Sequence, residues 1–151
     1  MNAAVQVTNL NTLEDQITEL AAHISAATYR LLTLIREYDL RSGWNCGGTR
    51  SCAHWLNWKC GIALGAAREK VRVAHALAGL PKIREAFRQG RVSYSKVRAM
   101  TRVATPENED SLLMIARHGT ASHMERLVRS YRRVGRAEAR KQLLRRELSY
   151  Y

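Results

Sequence analysis

Proline is nearly missing from this chain of 151 residues, which has two prolines, nine glycines, one phenylalanine and three cysteines. With so few breakers, long stretches are free to run as uninterrupted helix. No window alternates β-branched with polar residues, so strands are not indicated. An odd count of cysteines argues against a disulfide framework. No apolar run approaches the roughly 18 residues that span a bilayer. Met1–Leu10 has neither the basic start nor the apolar centre of a secretory signal, so the expected location is the cytoplasm. Catalytic patterns are also wanting. His23, His54, His75, His118 and His123 are scattered, with no paired His and Asn of a nuclease signature. No G-x-S-x-G, phosphate-binding loop or G-x-G-x-x-G occurs. The few acids stand mostly where helices begin, where capping explains them. No residues remain to activate water or hold a divalent ion, so no catalytic site and no cofactor are expected in this chain.

What the chain does have is positive charge. There are 25 Lys and Arg against 13 Asp and Glu, a net charge of +12. The distribution is uneven: residues 1–40 carry 2 basic and 5 acidic groups, and residues 41–151 carry 23 and 8. A field of that sign on particular helices points to a polyanion, nucleic acid before all others. A membrane surface fits less well, because the basic helices have no apolar face to spare from a core. The 46% apolar content, rich in Ala and Leu, is enough for one helical domain.

The expected organisation is a disordered lead-in over residues 1–11, a helical domain over 12–147, and at 148–151 the first residues of a following segment. Thr12 is placed to cap a first helix. Along that helix Leu13, Ile17, Leu20, Ile24, Ala27, Leu31, Leu34 and Tyr38 alternate steps of four and three, a heptad seam. The seam either packs on the other helices of the same domain or forms a homodimeric coiled coil. A glycine-rich loop, Ser42–Arg50, follows. Ser51 caps a short helix that Gly61 ends, and a basic helix runs from Leu64 to Ala78. After Gly79 and Pro81, residues 82–89 form a helix closed by Gly90, and Ser93 opens another to Ala104. Thr105-Pro106-Glu107 reads as an N-cap, a proline at the first helical position and an acid in the first turn. That helix ends at Gly119. Thr120 caps the last one, through Arg133 and on toward Arg146. Leu148-Ser149-Tyr150-Tyr151 reads like the start of a strand, as if the chain were cut there. The fold class is all-α: a multi-helix bundle with a long N-terminal heptad helix and two helix-turn-helix-like hairpins.

In each hairpin the second helix is basic, as a groove-reading helix is. The first would turn Arg68, Lys70, Arg72 and His75 outward, with Ala67, Val71, Ala74 and Leu77 inward. The second would turn out Lys96, Arg98 and Arg102, with Val97, Met100 and Val103 inward. The last helix is the most densely charged. Arg126, Arg129, Arg132, Arg133, Arg136, Arg140 and Lys141 outnumber the acids Glu125 and Glu138, and phosphate contact is their natural use. Cys46, Cys52, His54 and Cys60 are chemically able to bind zinc. Their spacing lacks a C-x2-C pair, so buried thiols are the default. Trp44, Trp55 and Trp58 are expected to pack against the first helix rather than to stack on bases.

Several long strings resemble a known bacterial family in its order: Gly43-Trp44, Thr49–Trp58 (TRSCAHWLNW), Gly61, Ala66–Leu77 (AAREKVRVAHAL), Leu80-Pro81, Gly90–Ala99 (GRVSYSKVRA) and Arg102–Asn108 (RVATPEN). That family is domain of unknown function 222, and the resemblance runs from Leu13 to Tyr151. It implies a helical N-terminal half that precedes an HNH endonuclease module, in which a bound divalent metal and a His hydrolyse a phosphodiester. No HNH residues stand in this chain, and the resemblance brings no catalytic residues with it. The function implied is holding nucleic acid, duplex DNA in the first place, for such an enzyme of a mobile or phage-like element. An oligomerisation module restraining a nuclease, or a stand-alone helix-turn-helix regulator, are the alternatives.

Overall fold

The computed structural model describes the backbone of residues 3–149 and the side chains of residues 9–149. Those residues form seven α-helices and no strand. In order they are α1 (Ala3–Leu40), α2 (Cys52–Cys60), α3 (Leu64–Ala76), α4 (Pro81–Arg88), α5 (Tyr94–Met100), α6 (Glu109–His118) and α7 (Ala121–Ser149), with short 3-10 turns at Gly43–Gly47 and Leu77–Gly79. The all-α bundle with its long first helix is as the sequence implies. Both hairpins are present as α2–α3 and α4–α5.

Local signals set most boundaries. Ser51 Oγ accepts from the His54 backbone N–H, Ser93 Oγ from that of Lys96, and Thr120 Oγ1 from that of His123. Each satisfies one of the orphan donors of a helix N-terminus. Gly61, at φ 68°, closes α2 in the left-handed conformation. Gly90 does the same work after α4 at φ 71°, and it lies flat against α1: a Cβ there would fall on the carbonyl oxygen of Ala22.

Three boundaries differ from expectation. Helix α1 begins at Ala3, so residues 3–11 continue the helix instead of leading into it, and Thr12 lies within the helix rather than at its start. Asn108, not Thr105, stands before α6. Its side-chain Oδ1 accepts from the Thr105 backbone N–H and its Nδ2 donates to the Val103 carbonyl, which makes 105–108 a turn. Helix α7 runs through Ser149, so Leu148 and Ser149 begin no strand. Tyr150 and Tyr151, like Met1 and Asn2, lie outside the described residues.

The core is built from one face of each helix. Leu32 and Ile35 of α1 meet Leu56 of α2, Val73 of α3, Ile83 and Phe87 of α4, Val97 and Met100 of α5, Leu112 of α6, and Met124 and Val128 of α7. Tyr29 meets Phe87 edge-on at 5.8 Å between ring centroids. One carboxylate lies inside this core. Glu109 of α6 is 1% exposed, and its Oε1 accepts from the backbone N–H groups of Lys82 and Ile83 at 2.9 and 3.0 Å. A residue from α6 thus caps the N-terminus of α4, which Pro81 opens without a donor of its own.

The seam on α1 does not face this core. Leu13, Ile17, Leu20, Ile24, Leu31 and Leu34 are exposed, with Ile17 at 66% and Leu20 at 60%. Ala27 is exposed as well, and only Tyr38 is half-buried. A different stripe (Tyr29, Leu32 and Ile35) is what packs. The intramolecular reading of the seam is therefore wrong, for a definite reason: a helix has room for two stripes, and the shorter one won the core. Two lengths of helix stand clear of the bundle. In α1 every residue from Asn9 to Ala21 is exposed, and in α7 every residue from Arg129 to Ser149.

Candidate nucleic-acid interface

The two basic helices of the hairpins do not project side by side into solvent. They pack against each other, and the contact is organised by an acid. Glu69 of α3 takes Arg72 in a fork, Nε to Oε1 at 3.2 Å and Nη2 to Oε2 at 3.1 Å. Arg98 Nε and Arg102 Nη2, both reaching across from the α5 side, donate to its Oε2 at 2.8 Å each. Burial pushes the Glu69 carboxyl up, but the hydrogen bonds from Arg72 and Arg98 and the charges of Arg72 and Arg102 outweigh it and hold it down at about 2. Glu69 is therefore ionised at any physiological pH.

This changes the standing of the outward set. Arg72 also donates Nη2 to the Arg98 carbonyl at 3.0 Å and Nη1 to Thr101 Oγ1 at 3.4 Å, so its donors are turned inward. Lys70 lays its ammonium 4.5 Å over the Tyr94 ring, and burial first, then the charge of Arg98, lowers its pKa. Lys96 Nζ donates to the Ala116 carbonyl in the last turn of α6 at 2.6 Å, a cation where the helix dipole favours one. His75 Nε2 lies 2.6 Å from Asp39 Oδ2, and the other oxygen of that carboxylate accepts from Trp44 Nε1 at 2.9 Å. These residues knit α1, α3, α5 and α6 together. Arg68 alone of the α3 set is exposed and without a hydrogen bond among the described residues.

Arg98 and Arg102 have a second face. They line an open cleft of about 220 Å³ between α5 and α7, with Glu125, Val128, Arg129 and Arg132 on its other wall. Arg98 spends its Nε on Glu69 and Arg102 one Nη, which leaves further N–H groups of each guanidinium for another acceptor. Arg129 is held loosely by Glu125 at 3.9 Å. Arg132 has no partner among the described residues, and Arg133 beside it is exposed. Two of the three sequence-derived clusters therefore meet in one place, and the third, on α3, supports it from behind. Beyond the cleft, α7 continues for about 25 Å at the helical rise, carrying Arg136, Arg140, Lys141, Arg145 and Arg146, all exposed.

The hub Glu69 was missed in the sequence. Its one local signal is the i,i+3 spacing to Arg72; the partners 29 and 33 residues away have none. The possible zinc ligands are not gathered. His54 Nδ1 is 2.7 Å from Ser51 Oγ, Cys52 is buried, and Cys46 and Cys60 are exposed. Among the described residues no three His, Cys, Asp or Glu side chains are placed to hold a metal ion. Burial, then the charges of Asp39 and Cys60, push the Cys52 thiol up to about 11, so it is a poor nucleophile. Of the tryptophans, Trp55 packs on Tyr38 of α1 at 4.4 Å, while Trp58 is exposed at 63%, with the Lys59 ammonium over its ring.

Fold and charge together define an all-α basic module, with a ring of arginines about one cleft. No helix of the described residues is long and apolar enough to cross a membrane. The chain belongs to the family described as domain of unknown function (DUF222), whose profile matches residues 8–143. No curated protein and no solved structure matches it.

Proposed function

We propose that this domain binds nucleic acid, duplex DNA in the first place, through the cleft between α5 and α7 and along the exposed length of α7. One observation carries the reading. Arg98 of α5, Arg102 of the turn after it, and Arg129 and Arg132 of α7 converge on one open cleft, against the acids Glu69 and Glu125. Stability alone does not call for that surplus, since exposed like charges repel. Arginines with unspent donors around a concavity suit a phosphate, which accepts several N–H bonds at once. The free basic length of α7 then supplies further sequence-independent contacts. In this reading Arg72, Lys70 and Lys96 position the wall of the site and do not touch the ligand. The family resemblance suggests the context: a domain that holds DNA for an HNH-type endonuclease module, where the divalent metal and the hydrolytic chemistry would reside.

Binding to a short labelled duplex, followed by anisotropy at rising salt, tests it. Each phosphate neutralised contributes a slope of about −0.9 to log K against log salt. The double variant Arg129→Glu, Arg132→Glu is expected to weaken binding at least tenfold and to flatten the slope by about two, and Arg68→Glu to do much less. No binding at low salt, or affinity indifferent to salt, would overturn the reading. A larger loss from Arg68→Glu than from the α7 pair would move the interface to α3. A regulator bound to one operator would instead yield a sequence motif on selection from random duplexes.

A further inference from the structure

The uncovered seam of α1 carries an inference independent of nucleic acid. In heptad terms Leu10, Ile17, Ile24, Leu31 and Tyr38 occupy position a, and Leu13, Leu20, Ala27 and Leu34 occupy position d. Leu10 extends the seam one step above the Thr12 at which the sequence suggested a start. Ile at a with Leu at d is the pattern that favours a parallel two-stranded coiled coil. The side chains are free to form one. Ile17, Leu20 and Ile24 lie on the stretch where α1 stands clear of the bundle, or at its edge, and each is about 60% exposed. The stripe that packs inward, Tyr29, Leu32 and Ile35, lies off the seam, so one helix can serve both contacts.

Charge and area agree. The positions flanking the seam are Asn9, Gln16, His23 and Arg30 on one side and Glu14, Ala21 and Thr28 on the other. In a parallel pair these meet as Asn9 with Glu14, Gln16 with Ala21 and His23 with Thr28, so no like charges oppose each other. The remaining acids of that stretch, Asp15 and Glu19, sit away from the seam. Seven leucine and isoleucine residues of the seam from Leu10 to Leu34 are 37–66% exposed, a continuous apolar strip of the kind that an interface of about 800 Å² per partner covers. At its lower end the seam opens into an apolar cavity of about 660 Å³, where Leu31, Leu34 and Tyr38 join Trp55 and Leu56. A bare surface of that extent is rare on a monomer.

We infer that a second copy of this chain covers the seam, with the two α1 helices parallel and in register from Leu10 to Leu34. The mass in solution, measured by light scattering over a wide concentration range, should be that of a dimer. Ile17→Glu with Ile24→Glu should give a monomer whose far-ultraviolet circular dichroism and bundle unfolding are retained, because both residues lie outside the core. Orientation is read by Leu13→Cys, near one end of the paired stretch, in a Cys46→Ser, Cys60→Ser background: oxidation should link the two copies almost completely. A monomer at all concentrations, or a dimer that survives the double glutamate variant, overturns the interface. A dimer that fails to cross-link through residue 13 overturns the parallel register, and a monomer that captures a partner through its seam overturns the second copy as occupant.

Discussion

Glu69 shows how much one carboxylate can organise. It joins Arg72 of its own helix to Arg98 and Arg102 from the next hairpin. Removing it leaves three cations in contact without an anion among them. Glu69→Gln should therefore destabilise the bundle by about 1–3 kcal/mol near neutral pH, read by urea unfolding. The pH dependence has a definite sign. Its carboxyl titrates at about 2 in the folded chain, below the ordinary 4.5, so its contribution is complete above about pH 4.5 and is lost as pH falls toward 2. The Gln variant should lose that part of the acid limb. Glu85, also held at about 2, by the Arg88 hydrogen bond first, keeps its own small part and makes Glu85→Gln the control. None of this was legible from composition. The arginines were visible as charge, but charge alone does not say which cations have already been given an anion, and the residues that answer are about thirty positions apart.

At the level of the helix, the caps were the most legible features. Ser51, Ser93, Thr120 and Gly61 act within three or four residues, and their chemistry is local. Gly90 was legible only as a stop. Its contact with Ala22 comes from a helix nearly seventy positions earlier. The two glycines accordingly predict different costs. Gly61→Ala meets open space and pays the left-handed backbone alone, about 1 kcal/mol. Gly90→Ala pays that and must push α4 away from α1, for a loss of about 3 kcal/mol or more, measured as the shift in the denaturation midpoint. The seam of α1 was legible as a seam, but its periodicity could not say what covers it. Hydrophobic period reports that a face is apolar, and the partner is a property of the rest of the molecule.

For the molecule as a whole, the outline could be read and the exposed parts could not. An all-α bundle of this size follows from the near absence of proline, the helix-forming composition and the caps. That the first and last helices outrun the bundle does not, because amphipathic stripes continue into both lengths. The free length of α7 makes a whole-molecule prediction. Limited trypsin digestion should cut first between Arg133 and Arg146, where every arginine is exposed and the helix has run past the cleft. The product should keep the bundle up to Val128, the last buried residue of α7. Cuts appearing first in α3 or α5 would contradict this order, and duplex DNA should slow the α7 cuts if that helix lies along the phosphates.

The tethering of Arg98 and Arg102 to Glu69 has a kinetic consequence for any anion that enters the cleft. Their side chains are already fixed by the ion pair, so their rotamer entropy has been surrendered in folding, whereas each untethered arginine farther along α7 must give up about 0.5–1.5 kcal/mol when it is immobilised. The two parts of the surface then divide the labour. On the proposed reading, the untethered arginines would draw the ligand in from a distance and let go easily, and the pre-aimed pair in the cleft would govern how long it stays.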